Sequence, residues 1–294
     1  MHRPRMTQAR AELTRSVDAV DEFGDVRQIA IPAERALTVY VDKVELVTLM
    51  TLGAQPELLV LGFLRNQGLL RSIDEVESIT VDWDVGAAAV KTCHGTLDLA
   101  ARTARRVVTT GCGQGSMFGN LMADLQGITL PHAVLGQEQV YGIVNAIRLG
   151  DSLYKSAGSV HGCALFRGDE MLMFVEDVGR HNAIDTIAGW MWLQAGADGM
   201  AAGAGGAGAG MQGGDKVFYT TGRLTSEMVI KAAQLGVPIV ISRSGITEMG
   251  LQIARQLGLC TVGRAINKHF LCFSAPHRLQ LRPGMAAPRL RVVG

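Results

Sequence analysis

The sequence predicts an α/β protein: a mixed, mostly parallel sheet with helices, preceded by a smaller β-rich N-terminal unit. Two observations carry this. In the second half, short apolar runs rich in β-branched residues alternate with helix-length segments, as in MLMFVED, VFYTT, VPIVIS and LCTV. Strand–helix–strand succession of this kind implies right-handed crossovers and a largely parallel sheet. In the first half, strands with a period of two predominate and few helix-length segments intervene. The 294 residues, 48% of them hydrophobic, suffice for two such parts.

Residues 1–26 are polar and read as a flexible tail. ALTVYVDKVELVTLM (36–50) alternates on either side of Asp42-Lys43, which predicts a β-hairpin. PELLVLGFLRNQG (56–68) places Pro56 at a helix start and Gly68 just past its end. SITVDWD (78–84) and ARRVVTT (104–110) are predicted strands, so that a β-rich unit spans 27–108. A cysteine-bearing loop over 109–120 follows, and then an α/β domain over 121–294. That domain opens with a helix near 136–149. VHGCALF and EMLMFVED then form a hairpin around Arg167-Gly168-Asp169. Helices are predicted near 182–194, 226–235 and 248–257. Between two of these units, GADGMAAGAGGAGAGMQGG (196–214) is a glycine/alanine run that predicts a flexible surface loop. It lacks the lysine and following cap of a phosphate cradle. No Walker motif is present, and GCGQGSMFG lacks the spacing of a dinucleotide fingerprint.

Composition narrows the function classes. A net charge of +1 gives no global signature for nucleic acid or a membrane surface, so any anion site must be local. Five cysteines (Cys93, Cys112, Cys163, Cys260, Cys272) form no tight cluster, which argues against a disulfide framework and a structural zinc site. The N-terminus has no apolar signal region, and no window approaches the roughly 18 apolar residues that span a bilayer. The expectation is a soluble, cytoplasmic protein with reduced thiols.

The strongest positional signal lies at the strand ends. Each strand of the second half is followed by an arginine: Arg180 after 171–177, Arg223 after 217–221, Arg243 after 237–242 and Arg264 after 259–262. If the strands are parallel, these loops share the edge of the sheet where open α/β folds bind ligands. Helix N-termini add backbone N–H donors there, and guanidinium groups favour phosphate or pyrophosphate. One such arginine is most simply a solvated loop residue. Four in matched positions, with Gly179, Gly222 and Gly263 each directly before an arginine, predict an anion site. EDVGRHNAID (176–185) is the densest polar cluster. His181 there is a base, a phosphate donor or a structural histidine at a helix start. Its neighbours Asp177, Arg180 and Asn182 favour ligand contact, while Glu176 and Asp177 also suit helix caps.

Cys112 stands apart from the other thiols. It lies in TTGCGQGS (109–116), between Gly111 and Gly113, with Arg105 and Arg106 upstream, whereas the other four sit in apolar or strand-like runs. An accessible thiol in an electropositive setting is the kind that reacts.

EDVGRHNAID, TTGRLTSEMVIKAAQLGVPIVIS and GLCTVGRAINKHF resemble the FdhD/NarQ formate dehydrogenase accessory sulfurtransferases, with weaker blocks in GFLRNQGLL (62–70) and SAGSVHGCALF (156–166). The resemblance runs from about residue 28 to 282. It implies a cytidine-deaminase-like α/β core and a homodimer. It also implies a loop cysteine, matched by Cys112, that accepts persulfide sulfur from a cysteine desulfurase. The sulfur would pass to a molybdenum bis-guanylyl-molybdopterin, bound as substrate and mimicked by GDP, before its insertion into formate dehydrogenase. The matching cofactor-binding stretch is Arg264, Ala265, Ile266, Asn267, Lys268 and His269. No zinc is expected, because the H-x-E and P-C-x-x-C signature is missing.

This chain departs from the family pattern in three places. Gly115 replaces a second loop cysteine, Thr186 replaces a lysine, and SRSGITE replaces an SAPT-like block while adding Arg243. The alternatives to a sulfur relay are a non-catalytic cofactor-binding chaperone and a nucleotide-sensing regulator.

Overall fold

The computed structural model describes residues 3–93, 95, 125, 127–198, 213–282 and 284. Fifteen strands are described among these residues. They comprise β1 Arg5–Met6, β2 Thr14–Val20, β3 Val26–Pro32, β4 Arg35–Val41, β5 Val44–Thr51, β6 Val76–Asp82, β7 Ala87–Thr92, β8 Leu135–Gly136, β9 His161–Arg167 and β10 Glu170–Asp177. The series ends with β11 Lys216–Thr220, β12 Ile239–Ser242, β13 Cys260–Ile266, β14 His269–Ser274 and β15 Leu279–Gln280. The α-helices are α1 Pro56–Asn66, α2 Gln137–Leu149, α3 Leu153–Ala157, α4 Arg180–Asp198, α5 Ser226–Gln234 and α6 Glu248–Leu257. This is a mixed α/β fold with parallel sheet portions and a separate β-rich N-terminal sheet, as the sequence predicts.

The chain divides into two compact units. The first holds residues 1–126, 151–163 and 174–212, and the second holds 127–150, 164–173 and 213–294. The division cuts across the boundary expected at 121, because α4 belongs to the first unit. The reason is a close helix contact. A Cβ on Gly62 of α1 would lie 1.8 Å from the Asp185 carbonyl oxygen of α4, and one on Gly189 would lie 2.1 Å from that of Leu58. Only glycine at both positions lets the two backbones meet.

In the first unit the five-stranded sheet runs β1-β6-β7-β4-β5. The β4–β5 hairpin turns on Asp42 and Lys43, both at positive φ, as a two-residue turn matched to strand twist requires. Leu37, Val39 and Val41 alternate inward from β4 and pack with Leu59, Phe63 and Leu64 of α1 and with Trp192 of α4. Each such side chain contributes about 1.5–3 kcal/mol through burial. Pro56 starts α1 and Gly68, at positive φ, follows its end.

Within the span expected as a flexible tail, 1–26, the described residues from 3 onward instead include two strands. β1 pairs in parallel with β6, and β2 pairs with β3 along its whole length. Glu57, 5% exposed, holds the segment by accepting from the Thr7 hydroxyl and the Ala9 N–H, each at 2.7 Å. The polarity of this stretch reflects strands that keep much of their surface in water, with Val20 and Val26 among the exposed residues.

In the second unit β11, β12 and β13 are parallel neighbours, and β14 returns antiparallel to β13. The full sheet order is β10-β9-β11-β12-β13-β14. Val217, Phe218, Tyr219, Ile239, Val240, Ile241 and Val262 are all buried, which accounts for near-continuous apolar runs without alternation. No described helix is long and apolar enough to cross a membrane. The strand expected at 104–110, the loop 109–120 and residues 199–212 of the glycine/alanine run lie outside the described residues.

Candidate functional site

The second unit presents one well-defined edge. Thr220 pairs with Ser242 at the carboxyl ends of β11 and β12, and Ile241 pairs with Val262 on β13. The segments beyond these strand ends are knitted together. The Arg243 N–H donates to the Thr220 carbonyl at 3.0 Å, and the Ser242 hydroxyl donates to that of Gly222 at 2.7 Å. Leu224 N–H donates to Gly245 O and Thr247 N–H to Leu224 O, so the segments after β11 and β12 bridge in parallel. The Arg264 N–H reaches the Ser244 carbonyl at 2.6 Å.

Arg223, Arg243 and Arg264 are thereby fixed at one edge, with exposed side chains. None of them pairs with a carboxylate among the described residues. Arg5, Arg27, Arg167 and Arg282 do, with Glu77, Asp21, Asp215 and Glu138 respectively. The N-terminus of α5 opens at the same edge. Its N-cap, Thr225, makes no capping bond, and the buried Thr225 Oγ1 has no partner among the described residues. Thr247, the N-cap of α6, does bond the Gly250 N–H at 3.2 Å. The sequence reading missed Thr225. The signal for it was present, since a threonine directly before SEMV occupies a cap position.

Arg264–His269 differs from the loop expected after 259–262. β13 continues through Ile266, and the chain turns at Asn267-Lys268 into β14. Arg264 sits in an irregular stretch of the ladder with φ +52°, an uncommon backbone for a side chain other than glycine, asparagine or aspartate. Gly263 before it is required by contact: a Cβ there would lie 2.7 Å from the Phe273 ring and 3.0 Å from the Ser244 carbonyl oxygen. Arg264, Ile266, Asn267, Lys268 and His269 are exposed, while Ala265 is buried.

Arg180 and His181 lie in the first unit, and the structure makes them the first residues of α4 rather than loop residues. They are 8% and 4% exposed. The surrounding motif is a brace. Asp177, 4% exposed, accepts from the Thr51 hydroxyl (2.5 Å), Leu52 N–H (3.1 Å), Gly179 N–H (3.0 Å) and Asn182 Nδ2 (2.8 Å). Burial raises its carboxyl above the usual range, and these hydrogen bonds offset part of the rise. Asn182 also donates to the Met50 carbonyl at 2.6 Å, and Asn66 donates to Asp185 at 2.7 Å. Glu176 accepts from the N–H groups of Leu153 and Tyr154, which caps α3 as the alternative reading of that residue anticipated. Thr186 is buried and its hydroxyl returns to the Asn182 carbonyl of its own helix at 2.9 Å.

A braced helix start in one unit and arginines without carboxylate partners among the described residues along a parallel edge in the other both fall on the EDVGRHNAID, TTGRLTSEMV and GLCTVGRAINKHF blocks. The FdhD/NarQ family model matches residues 32–280. The chain belongs to the FdhD/NarQ family. Within that family it is 31% identical to a sulfur carrier protein FdhD of Bacillus subtilis, over 88% of this chain and 94% of the relative. It is 30% identical to a sulfur carrier protein FdhD of Bacillus licheniformis, over 84% and 89% respectively. A crystal structure of a protein assigned as a formate dehydrogenase accessory protein from Desulfotalea psychrophila shares the fold, with a TM-score of 0.68. That match covers 91% of this chain and 98% of the other, at 23% identity. Cys112 lies outside the described residues.

Proposed function

We propose that this FdhD/NarQ protein is a sulfur carrier required for formate dehydrogenase activity. In this reading Cys112 accepts the terminal sulfur of a cysteine desulfurase persulfide. It passes that sulfur to a molybdenum bis-guanylyl-molybdopterin and returns to the thiolate. One thiol suffices, because the delivered atom is the outer sulfur and the cysteine sulfur stays on the chain. Gly115 leaves no second thiol in the loop to expel sulfide by forming a disulfide. The protein acts as a homodimer in the cytoplasm.

The observation that carries the ligand side of this reading is the set Arg223, Arg243 and Arg264 on one parallel edge, exposed and without carboxylate partners among the described residues. Guanidinium groups bind phosphate oxygens in pairs of hydrogen bonds, and the uncapped α5 start adds backbone N–H donors and the positive end of a helix dipole. Lys268 at the hairpin tip adds a further cation. The guanine nucleotide ends of the cofactor suit such an edge, and GDP is the simplest probe of it. Arg180 and His181 are buried and receive no contact role here.

Calorimetry with GDP tests the placement. Replacing Arg264 or Lys268 by Ala is expected to weaken binding by about 1.5–3 kcal/mol, roughly tenfold to over a hundredfold. Unchanged affinity in both variants overturns the placement. The sulfur side is tested by intact mass after incubation with a desulfurase and cysteine. One added sulfur is expected on the wild-type chain and none on Cys112→Ser. A Cys112→Ser protein that still matures formate dehydrogenase in a strain lacking its own accessory protein favours the cofactor chaperone instead.

A further inference from the structure

The β2–β3 hairpin pairs with no other strand among the described residues, and it carries apolar side chains into water. Val20 and Val26 face each other at the end of its ladder, 69% and 67% exposed. Phe23 at the tip is 79% exposed, the most of any large hydrophobic side chain among the described residues. The turn is built to hold that pose. Asp21 Oδ1 accepts from the N–H groups of Phe23 and Asp25, each at 3.0 Å, and Asp21 Oδ2 pairs with Arg27 at 2.6 Å. Gly24, at φ +86°, donates its N–H to the Asp21 carbonyl at 3.0 Å. An aromatic group held out on a preorganised turn loses little freedom on binding, which is the property of an interface anchor.

Around Phe23 stand Asp18, Glu22 and Asp25, all exposed and none paired with a cation among the described residues. Arg27 is taken by Asp21, and Arg15 points to the opposite face from Asp18 by strand alternation. The tip is therefore an apolar point ringed by carboxylates. The second unit carries the complement. Its edge holds Arg223, Arg243, Arg264 and Lys268 against a single exposed carboxylate among the described residues there, Glu248 at the start of α6. Ile266, between Arg264 and Lys268 in the chain and 47% exposed, gives that edge an apolar centre.

We propose that the hairpin tip of one copy docks on the arginine edge of a second copy, and reciprocally. Phe23 meets Ile266, while Asp18, Glu22 and Asp25 meet the arginines. The inference rests on the homodimer of the proposed function, whose surface it names; it does not depend on which ligand the edge takes. A reciprocal exchange closes under two-fold symmetry, so two copies satisfy both tips and both edges. Neither surface serves itself. Two tips brought together oppose carboxylates, and two edges oppose arginines, and such like-charge contacts disfavour association. In the ligand-free homodimer each copy's carboxylates stand in for an anion at the other's edge, and a nucleotide must displace them.

Analytical ultracentrifugation of the full chain over a range of concentrations, at low salt, tests the contact. A tip variant carries Asp18→Lys, Glu22→Lys and Asp25→Lys, and an edge variant carries Arg223→Glu and Arg243→Glu. All five side chains are exposed, so both variants are expected to keep the wild-type urea midpoint closely. Each is expected to raise the dimer dissociation constant by about tenfold or more, and so is Phe23→Ser. An equimolar mixture of the tip and edge variants is expected to recover the wild-type dimer, because each reversed tip then meets a reversed edge and each native tip a native edge. A wild-type chain that stays monomeric overturns the homodimer and this surface together. A dimer that survives unchanged in the tip variant overturns this surface and leaves the homodimer standing. A mixture no tighter than its two components also overturns it, since the charges then do not meet between copies.

Discussion

The same dipeptide, Gly-Arg, has opposite fates in the two units. At Gly179-Arg180 it begins a helix whose first residues are buried around Asp177, and every hydrogen-bond donor aimed at that carboxylate is accounted for in protein. Gly222-Arg223 follows the end of β11 and Gly263-Arg264 lies in an irregular stretch within β13, and at both the arginine stays in water without a carboxylate among the described residues. The difference comes from the residues next in the chain. HNAID supplies Asn182 and Asp185, two short polar groups that reach Met50 and Asn66 and so draw the turn inward. LTSEMV places Thr225 at the spacing of Asn182, but its hydroxyl has no partner among the described residues, and AINKHF places Ile266 there. A repeated motif therefore marks where loops lie on a sheet but does not assign their role; the polar residues one turn further on do.

Breaking the buried side should cost stability and spare the ligand. The largest loss is expected from Gly62→Ala, because the added methyl would sit 1.8 Å from the Asp185 carbonyl oxygen and α1 and α4 must separate to admit it. The expected destabilisation is about 3 kcal/mol or more, read as a shift in the urea midpoint. Full retention of stability would show that the helices do not meet at this pair.

Asp177→Ala comes next, at about 3 kcal/mol, because it strands the Thr51 hydroxyl, two backbone N–H groups and Asn182 without their acceptor. The pH dependence separates this site from an ordinary cavity. Burial raises the folded-state value of Asp177 above the unfolded one, so the folded chain holds its proton longer. The stability from this group is then complete below the ordinary carboxylate value and falls as pH rises through the raised one. Wild type and Asp177→Ala should accordingly differ most in mild acid and less at neutral pH. A gap that widens with pH would mean that the hydrogen bonds outweigh burial.

How far the fold was legible depends on the range of the forces involved. The 42–43 turn and the bounds of α1 were readable because Asp42-Lys43, Pro56 and Gly68 act on their own neighbours. β14 was missed because HFLCFS is short and comes directly after a basic turn, so it looked like the continuation of a loop. The membership of α4 in the first unit was invisible, since it rests on Gly62 meeting Gly189 across more than a hundred residues of chain. Of the site, the arginine positions were legible through strand periodicity. The unpartnered Thr225 hydroxyl and the burial of Arg180, His181 and Ala265 were not, because burial is a property of the assembled core.

On the exposed side the expectations reverse. Arg223→Ala should leave the urea midpoint within about 0.5 kcal/mol of wild type, because the side chain is exposed and makes no ion pair among the described residues. GDP affinity should fall by about 1.5–3 kcal/mol. A variant that loses stability and affinity together would make Arg223 a structural residue like Arg180 and erase the contrast.

The smallest effect gives the sharpest reading, and it lies at Arg264. Its φ of +52° is a conformation that glycine adopts freely and other side chains resist, at a cost of about 1–2 kcal/mol. The backbone is held there by the bond from its N–H to the Ser244 carbonyl and by the tight packing of Gly263 under Phe273. Arg264→Ala removes the guanidinium and keeps the strained backbone, while Arg264→Gly removes both. The two variants should lose GDP affinity equally, yet the glycine variant should be more stable than the alanine variant by about 1 kcal/mol. Thermal melting of the pair, alongside calorimetry, reads both quantities. A glycine variant less stable than alanine would show that the hairpin does not hold Arg264 against its preference. Unequal affinities would show that the strained backbone itself, and not only the charge, shapes the proposed nucleotide edge.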